Sequence, residues 1–252
     1  MILERKSRQF CCETPSLGQS DHPRQVVLVA RLQIAVLLCD MMGFVTTAPA
    51  SPQSKISTHQ RILQAAKKLF ATRGYEHAST SAIARQAGTS ESQLMKHFGS
   101  KAGVLEAIFN EGWGQIVEEA RAASQNLTSP VRKLGAISGC VLRRLESDSD
   151  LKLLMLLEGR RIRKEGPVVA LTEGFLGFVG LLDGVLAEMR AMDVLRPELD
   201  PQAVRSALMG MLEGMMRDRY LAEQVHFPAD FQTGQLQEML GLVLASFTVH
   251  GK

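Results

Sequence analysis

Ser92, Gln93, Lys96 and His97 stand at i, i+1, i+4 and i+5, the spacing that places side chains on one face of a helix. Such a row offers hydroxyl, amide, ammonium and imidazole groups, which suit the donors and acceptors lining the major groove of duplex DNA. Around it, Thr80, Ser81 and Ser90 supply hydroxyls and backbone N–H groups and Lys101 supplies a fixed positive charge, all suited to phosphates on either side of a groove. Other chemistry is harder to build from this chain. The six histidines are scattered without an H-E-x-x-H grouping, and Cys11, Cys12, Cys39 and Cys140 show no C-x-x-C or Cys/His ligand spacing. No Ser/His/Asp pattern or phosphate loop can be placed either. The expectation is a protein of a reducing compartment that holds no metal and no cofactor and is not an enzyme. The rival from another class is an all-helical enzyme in which a helix-turn-helix is only a structural unit.

A polar row works only if apolar residues hold its helix from behind. Leu94 and Phe98, spaced i and i+4, are the inward pair, and Ser90-Glu91-Ser92-Gln93 fits a capping box that starts this helix at about 91. Thr80 is expected to cap a shorter helix before it, with Ile83, Ala84 and Ala87 inward and Gly88 at its end. Further upstream, Ser57-Thr58-His59-Gln60 is another capping box. It opens a helix over 58–73 that carries Ile62, Leu63, Ala66, Leu69 and Phe70 on one stripe and closes at Gly74. A fourth helix follows Ser100 and runs to about Ala123. Two short helices joined by a glycine-containing turn, behind a longer one, describe a helix-turn-helix unit. Glu91, in the first turn of the outward-facing helix, either complements the helix dipole or accepts from a cytosine amino group.

The net charge of the 252 residues is +3, with 45% hydrophobic and 22% charged residues, an ordinary globular mixture. Its distribution is uneven. Residues 55–101 hold eight basic residues against Glu76 and Glu91, a net of +6, whereas residues 102–252 hold 16 basic against 20 acidic, a net of −4. A basic block on a mildly acidic bulk suits contact between the block and a polyanion.

The stretch 58–109, which includes RILQAAKKLFATRGYEHASTSAIARQAGTSESQLMKHFGSKAGVLEAIF, resembles the N-terminal DNA-binding domain of TetR/AcrR-type transcriptional regulators. It follows that family's order of apolar helix, Gly-Tyr, Thr before Ile-Ala, Ala-Gly, Ser, Leu, Phe and Lys. The resemblance implies that Thr80 lies at a phosphate-contacting helix start, that Gln93, Lys96 and His97 lie on the recognition helix, and that Lys101 is the phosphate-binding lysine. Met95 stands where the family usually has a tyrosine that touches the DNA backbone. Ser92 and Gln93 stand where Gly and Thr are common.

Residues 1–54 read as a poorly ordered extension and linker, with Pro49–Ser54 as the linker. The apolar run 26–48 carries Arg31, Gln33 and Asp40, which disfavour a membrane span, and its distance from the basic stretch Arg5–Arg8 is a poor match for a secretory signal. Upstream sequence read through a start placed too early, with Met41 or Met42 as later starts, accounts for it better. A regulator tethered to a membrane through 26–48 is the alternative.

After the DNA-facing unit, residues 102–252 read as a helical effector-binding and dimerisation domain, so the predicted fold class is all-α. Helices are predicted at 130–146, 149–164, 167–191, 201–224 and 232–248, three of them opened by Ser129-Pro130, Gly166-Pro167 and Asp200-Pro201. Arg160, Arg161, Arg163 and Lys164 cluster where they complement a helix C-terminus. Gly174, Gly177, Gly180 and Gly184 recur among Phe175, Phe178, Leu181 and Leu182, a pattern that points to close packing or to space for a ligand. Trp113, Met155, Phe175 and Phe178 are the candidate lining of an apolar effector pocket. Leu236, Met239, Leu240, Val243, Leu244 and Phe247 form one stripe on the last helix; Leu208, Met211, Leu212 and Met215 form another on the helix before. Paired between two subunits they would make a four-helix interface, and packed within one subunit they would be core. The resemblance favours the homodimer, which implies a palindromic double-stranded operator, a small apolar or amphipathic effector, a role as repressor, and a cytoplasmic location without a membrane partner.

Overall fold

In the computed structural model, residues 56–157 and 171–249 are described. They form helices α1 (Thr58–Arg73), α2 (Thr80–Gln86), α3 (Glu91–Phe98), α4 (Lys101–Ser124), α5 (Pro130–Ser147), α6 (Ser149–Leu157), α7 (Glu173–Ala191), α8 (Pro201–Val225) and α9 (Thr233–Ser246). The extension 1–54 and the Arg160–Lys164 cluster lie outside the described residues.

Local chemistry sets most of the boundaries. The capping box at α1 is complete: the Ser57 hydroxyl accepts from the Gln60 N–H, and the Gln60 side chain accepts from the Ser57 N–H. At α4, α5 and α8 the Ser100, Ser129 and Asp200 side chains each accept from a backbone N–H three residues on, without the reciprocal bond. Two expectations are corrected. Ser79, not Thr80, caps α2, because its oxygen accepts from the Ala82 N–H and leaves Thr80 as the first helical residue. The long helix predicted from 167 begins, among the described residues, at Glu173, where extended Thr172 accepts from the Phe175 N–H and caps it. At α3 the box is half formed, with only the Ser90 hydroxyl engaged on Gln93.

Helices α1, α2 and α3 close a small core around Ile62, Ala66, Phe70, Ile83 and Leu94. Helix α4 begins beside that core and continues into the larger one, where it packs mainly against α7 and α5. The core of the larger unit is built on α5, whose Leu134, Ile137 and Leu142 are buried, and is completed by Leu154, Leu186 and Met189.

The stripes on the last two helices close this core within one subunit. Leu208, Leu212, Leu236, Leu240 and Leu244 are each at most 8% exposed in the single chain, and Met211, Met215, Val243 and Phe247 pack against them. The leucines thus serve the core of their own subunit, whereas Met211, Met215, Val243 and Phe247 are only half-buried. Of the predicted set, Met239 is exposed, together with its neighbour Leu242.

The glycines of α7 divide by position. Gly174 lies against α4, where an added Cβ would sit 2.5 Å from the Asn110 carbonyl oxygen and 3.0 Å from the Gly114 nitrogen. Gly180 and Gly184 meet nothing within 4 Å. Backbone atoms cannot move aside as a flexible side chain can, so Gly174→Ala should destabilise by about 1–3 kcal/mol through overpacking. Gly180→Ala should instead stabilise by about 0.5–1 kcal/mol through helix propensity. Chemical denaturation of the two variants checks the opposite signs, and equal effects would show that α4 and α7 are not in this close contact.

Candidate nucleic-acid interface

Helices α2 and α3 are held at a fixed angle by a short, glycine-dependent turn. Gly88 adopts φ +62, in the left-handed region, and the Thr89 N–H donates to the Ala84 carbonyl at 3.0 Å. Ser90 then caps α3, whose one fully buried side chain is Leu94. With Leu94 inward and Phe98 half-buried beside it, Ser92, Gln93, Met95, Lys96 and His97 are all exposed, as are Ser81 and Ser90. The structure thus brings the predicted row together on one open face.

Three groups near this face have duties that the sequence did not reveal. The Thr80 hydroxyl donates to the Glu91 carboxylate, so the first residue of α2 is tied to the first residue of α3. Glu91 thus has a partner within the protein, and it also stands in the first turn of α3, where its charge complements the helix dipole. Lys101 is similarly occupied. Its Nζ donates to the carbonyls of Tyr75 at 3.0 Å and Glu76 at 3.3 Å and lies 4.4 Å from the centre of the Tyr75 ring. It pins the α1–α2 connection, while the Tyr75 ring packs on Phe70 at 5.2 Å. His97 lies 6.0 Å from His59, whose ring rests on Phe98 and whose Nε2 pairs with Glu111 of α4 at 2.9 Å. In the sequence, the adjacent Ser79, Thr80 and Ser81 made the cap ambiguous. Nothing in the local pattern signalled the contacts between residues far apart, Tyr75 with Lys101 and His59 with Glu111.

The predicted effector residues fall into a packed cluster. The Trp113 ring lies 4.8 Å from Phe178 and 5.3 Å from Phe175, and the Met155 methyl approaches Gly112, the neighbour of Trp113. A separate cavity of about 190 Å³ opens between α1, α4, α5 and α6. Its walls include Gln64, Lys67, Glu111, Gln115, Arg144 and Asp148, and none of the four predicted residues lines it. Cys140 is buried, and burial raises its thiol pKa against the opposing pull of Arg143. A thiol held protonated in this way is a poor nucleophile.

Removing the Lys101 ammonium while keeping its stem isolates the pin on the turn. Lys101→Met should lower stability by about 1–3 kcal/mol, the worth of hydrogen bonds to a charged group. A urea melt measures this, and an unchanged midpoint would show that the Lys101 ammonium does not stabilise the α1–α2 connection.

Comparison with known proteins follows the same division of the chain. Residues 62–108 match the family described as bacterial regulatory proteins, tetR family, and residues 109–239 match the C-terminal region described as YsiA-like protein. The fatty acid metabolism regulator protein of Bacillus subtilis (strain 168) is 26% identical over 161 residues, which are 64% of this chain and 82% of that protein. The fatty acid degradation regulator FadR from Bacillus halodurans superposes with a TM-score of 0.65 at 24% identity, covering 76% of this chain and 96% of that one. FadR from Bacillus subtilis in complex with stearoyl-CoA gives 0.63 at 23%, covering 77% and 99%.

Proposed function

The chain belongs to the TetR family of bacterial regulatory proteins, and from that premise we propose that it is a homodimeric repressor whose grip on a palindromic operator is loosened by an acyl-coenzyme A thioester. Residues 55–101 form the DNA-binding domain and residues 102–252 the effector-binding and dimerisation domain. The observation that carries this reading is the exposed row Ser92, Gln93, Lys96 and His97 on a helix anchored by Leu94, set in a segment of net charge +6. Gln93 and His97 read base edges, and Lys96, which makes no ion pair among the described residues, adds positive charge in the groove. Ser81, Ser90 and Ser92 donate to phosphates. Lys101 contributes its charge from the turn it pins, and Thr80 joins the contacts after releasing Glu91. Two such units read half-sites about one DNA turn (~34 Å) apart.

The acyl-coenzyme A reading rests on the named relatives, a fatty acid metabolism regulator and a stearoyl-CoA complex. The aromatic cluster of Trp113, Phe175 and Phe178 gives the acyl chain an apolar surface once α4 and α7 part to admit it. The thioester acts only to the extent that it binds one arrangement of the two units more tightly than the other. The homodimer uses the outer faces of α8 and α9, where Gly210, Met239 and Leu242 are exposed. The protein works in the cytoplasm, beside the genes it controls. A membrane-anchored mode would have to come from outside the described residues, in which no helix is long and apolar enough to cross a membrane.

Fluorescence anisotropy with a duplex from the promoter nearest its own gene tests the reading. The duplex should bind about 10³-fold or more tightly than random DNA at physiological salt. Lys96→Ala should weaken every sequence and reduce the log–log salt slope by about 0.9. Gln93→Ala should instead change which base is preferred at one position. Stearoyl-CoA should release the duplex. No preference for any duplex over random competitor would end the regulator interpretation.

A further inference from the structure

Two successive lysines on α1 reach across to the larger unit. Lys67 donates to Asp148 Oδ2, and Lys68 Nζ lies 3.6 Å from Asp150 Oδ2. Asp148 sits between α5 and α6 and does two things at once. Its Oδ1 accepts from the Leu151 N–H at 3.0 Å, capping α6, while Oδ2 holds the DNA-binding unit. The Lys67 and Asp148 side chains are 26% and 17% exposed, so water screens this pair less than the Lys68 pair, whose lysine is 59% exposed. Burial works against the Asp148 charge, but the Lys67 hydrogen bond, the Leu151 N–H and the charges of Lys67 and Arg144 outweigh it. The carboxyl pKa lies below its ordinary 3.8.

The side chains of α6 also face the sensor. Leu151 and Met155 lie against Gly112 of α4, where a Cβ would come within 3.0 Å and 3.1 Å of their terminal carbons. Gly112 adjoins Trp113, whose ring meets Phe178 at a tilt and Phe175 edge-on. The DNA-binding unit is thus joined to the sensor by α4, which runs unbroken from one into the other, and by the α1–α6 ion pairs. A single continuous helix leaves rotation about its start open, and a second attachment closes it.

We propose that the Lys67–Asp148 pair is an interdomain latch: it fixes the angle between the DNA-binding unit and the sensor, and displacement of α6 by a ligand at the Trp113 cluster reaches the recognition helix through it. The coupling part of this inference rests on the function proposed above; the latch itself rests on the geometry alone. Lys67 and Asp148 are positioning residues, since neither touches DNA or effector.

Asp148→Asn tests the latch cleanly, because asparagine caps a helix as well as aspartate and only the charge is lost. Lys67→Gln removes the other partner, and Lys67→Arg is the rescue. Hydrogen exchange needs neither DNA nor effector. Peptides from the last turn of α1 and the first turn of α6 should exchange about tenfold faster in both neutral variants, by local opening, and at the wild-type rate in Lys67→Arg. Coupling is read as the ratio of duplex Kd with and without saturating stearoyl-CoA. It should fall about threefold or more in each neutral variant, with the double variant no worse than the singles because both remove one interaction. Trp113 is the only tryptophan, and its fluorescence should report stearoyl-CoA affinity for the free protein within about threefold of wild type if the sensor is intact. Unchanged exchange, unchanged coupling or additive effects in the double variant would overturn the latch. A wild-type protein that ignores both DNA and stearoyl-CoA would sink the proposed function instead, and the exchange rates would still decide the latch.

Discussion

The burial of Leu94 is the constraint on which the DNA-facing surface depends. Helix α3 has eight residues, far below the length at which a helix persists alone in water. Its existence and its rotation both come from tertiary anchoring. Because Leu94 is completely buried, side chains one and two positions on either side of it point away from the core. The polar character of Ser92, Gln93, Lys96 and His97 is then free to follow recognition and not packing. The hydrogen bond from Thr80 to Glu91 adds a second restraint at the helix start. Rotation about the helix axis is set by an apolar contact, and the start is held by a polar one.

The same logic of paired restraints recurs at larger scale. Helix α4 starts at Lys101, beside the turn that Lys101 itself holds, and passes Gly112 and Trp113 on its way into the larger core. Any movement at the aromatic cluster therefore shifts a rod whose other end carries the DNA-binding unit. The polar contacts His59–Glu111 and Lys67–Asp148 tie α1 to α4 and to the start of α6, and in the proposed latch they set how such a shift becomes a rotation. Ion pairs suit this seam better than interdigitated leucines would. They can re-form with water or another partner at modest cost, whereas opening a packed apolar seam exposes area at about 25 cal/mol per Å².

The helix order and most ends were legible because they rest on local chemistry. Hydroxyl caps, proline at the first helical position and glycine after the last turn act within four residues, so the bounds of α1 and the start of α3 follow directly from Ser57, Gly74 and Ser90. The outward row of α3 was legible for the same reason, since one apolar pair fixes the face. What failed was long-range or degenerate. Three consecutive hydroxyl residues at 79–81 offered three caps, and only packing chose Ser79. The stripes of α8 and α9 have the same periodicity whether they face a partner or their own core; Leu208, Leu240 and Leu244 are buried within one chain, while Met239 on the same helix is exposed. Glycines in α7 looked alike in sequence, yet Gly174 touches backbone and Gly180 touches nothing.

Those glycines bear on how a sensor can be both packed and responsive. Where Gly174 brings α7 onto α4, the Gly174 N–H also donates to the Asn110 side chain at 2.8 Å, so the contact is fixed by sterics and by a hydrogen bond. Beside it, the Trp113, Phe175 and Phe178 rings pack against one another between the same two helices. Aromatic rings in tilted and edge contact gain only about 0.5–1.5 kcal/mol beyond their buried area, and they can reorient as flat bodies without breaking backbone bonds. In the proposed function an apolar guest enters beside this cluster and parts α4 from α7 where the rings, rather than the Gly174 backbone contact, hold them together. In that proposal the displacement runs along α4 toward Lys101 in one direction and through Gly112 into α6 in the other, so both seams of the DNA-binding unit feel the same event.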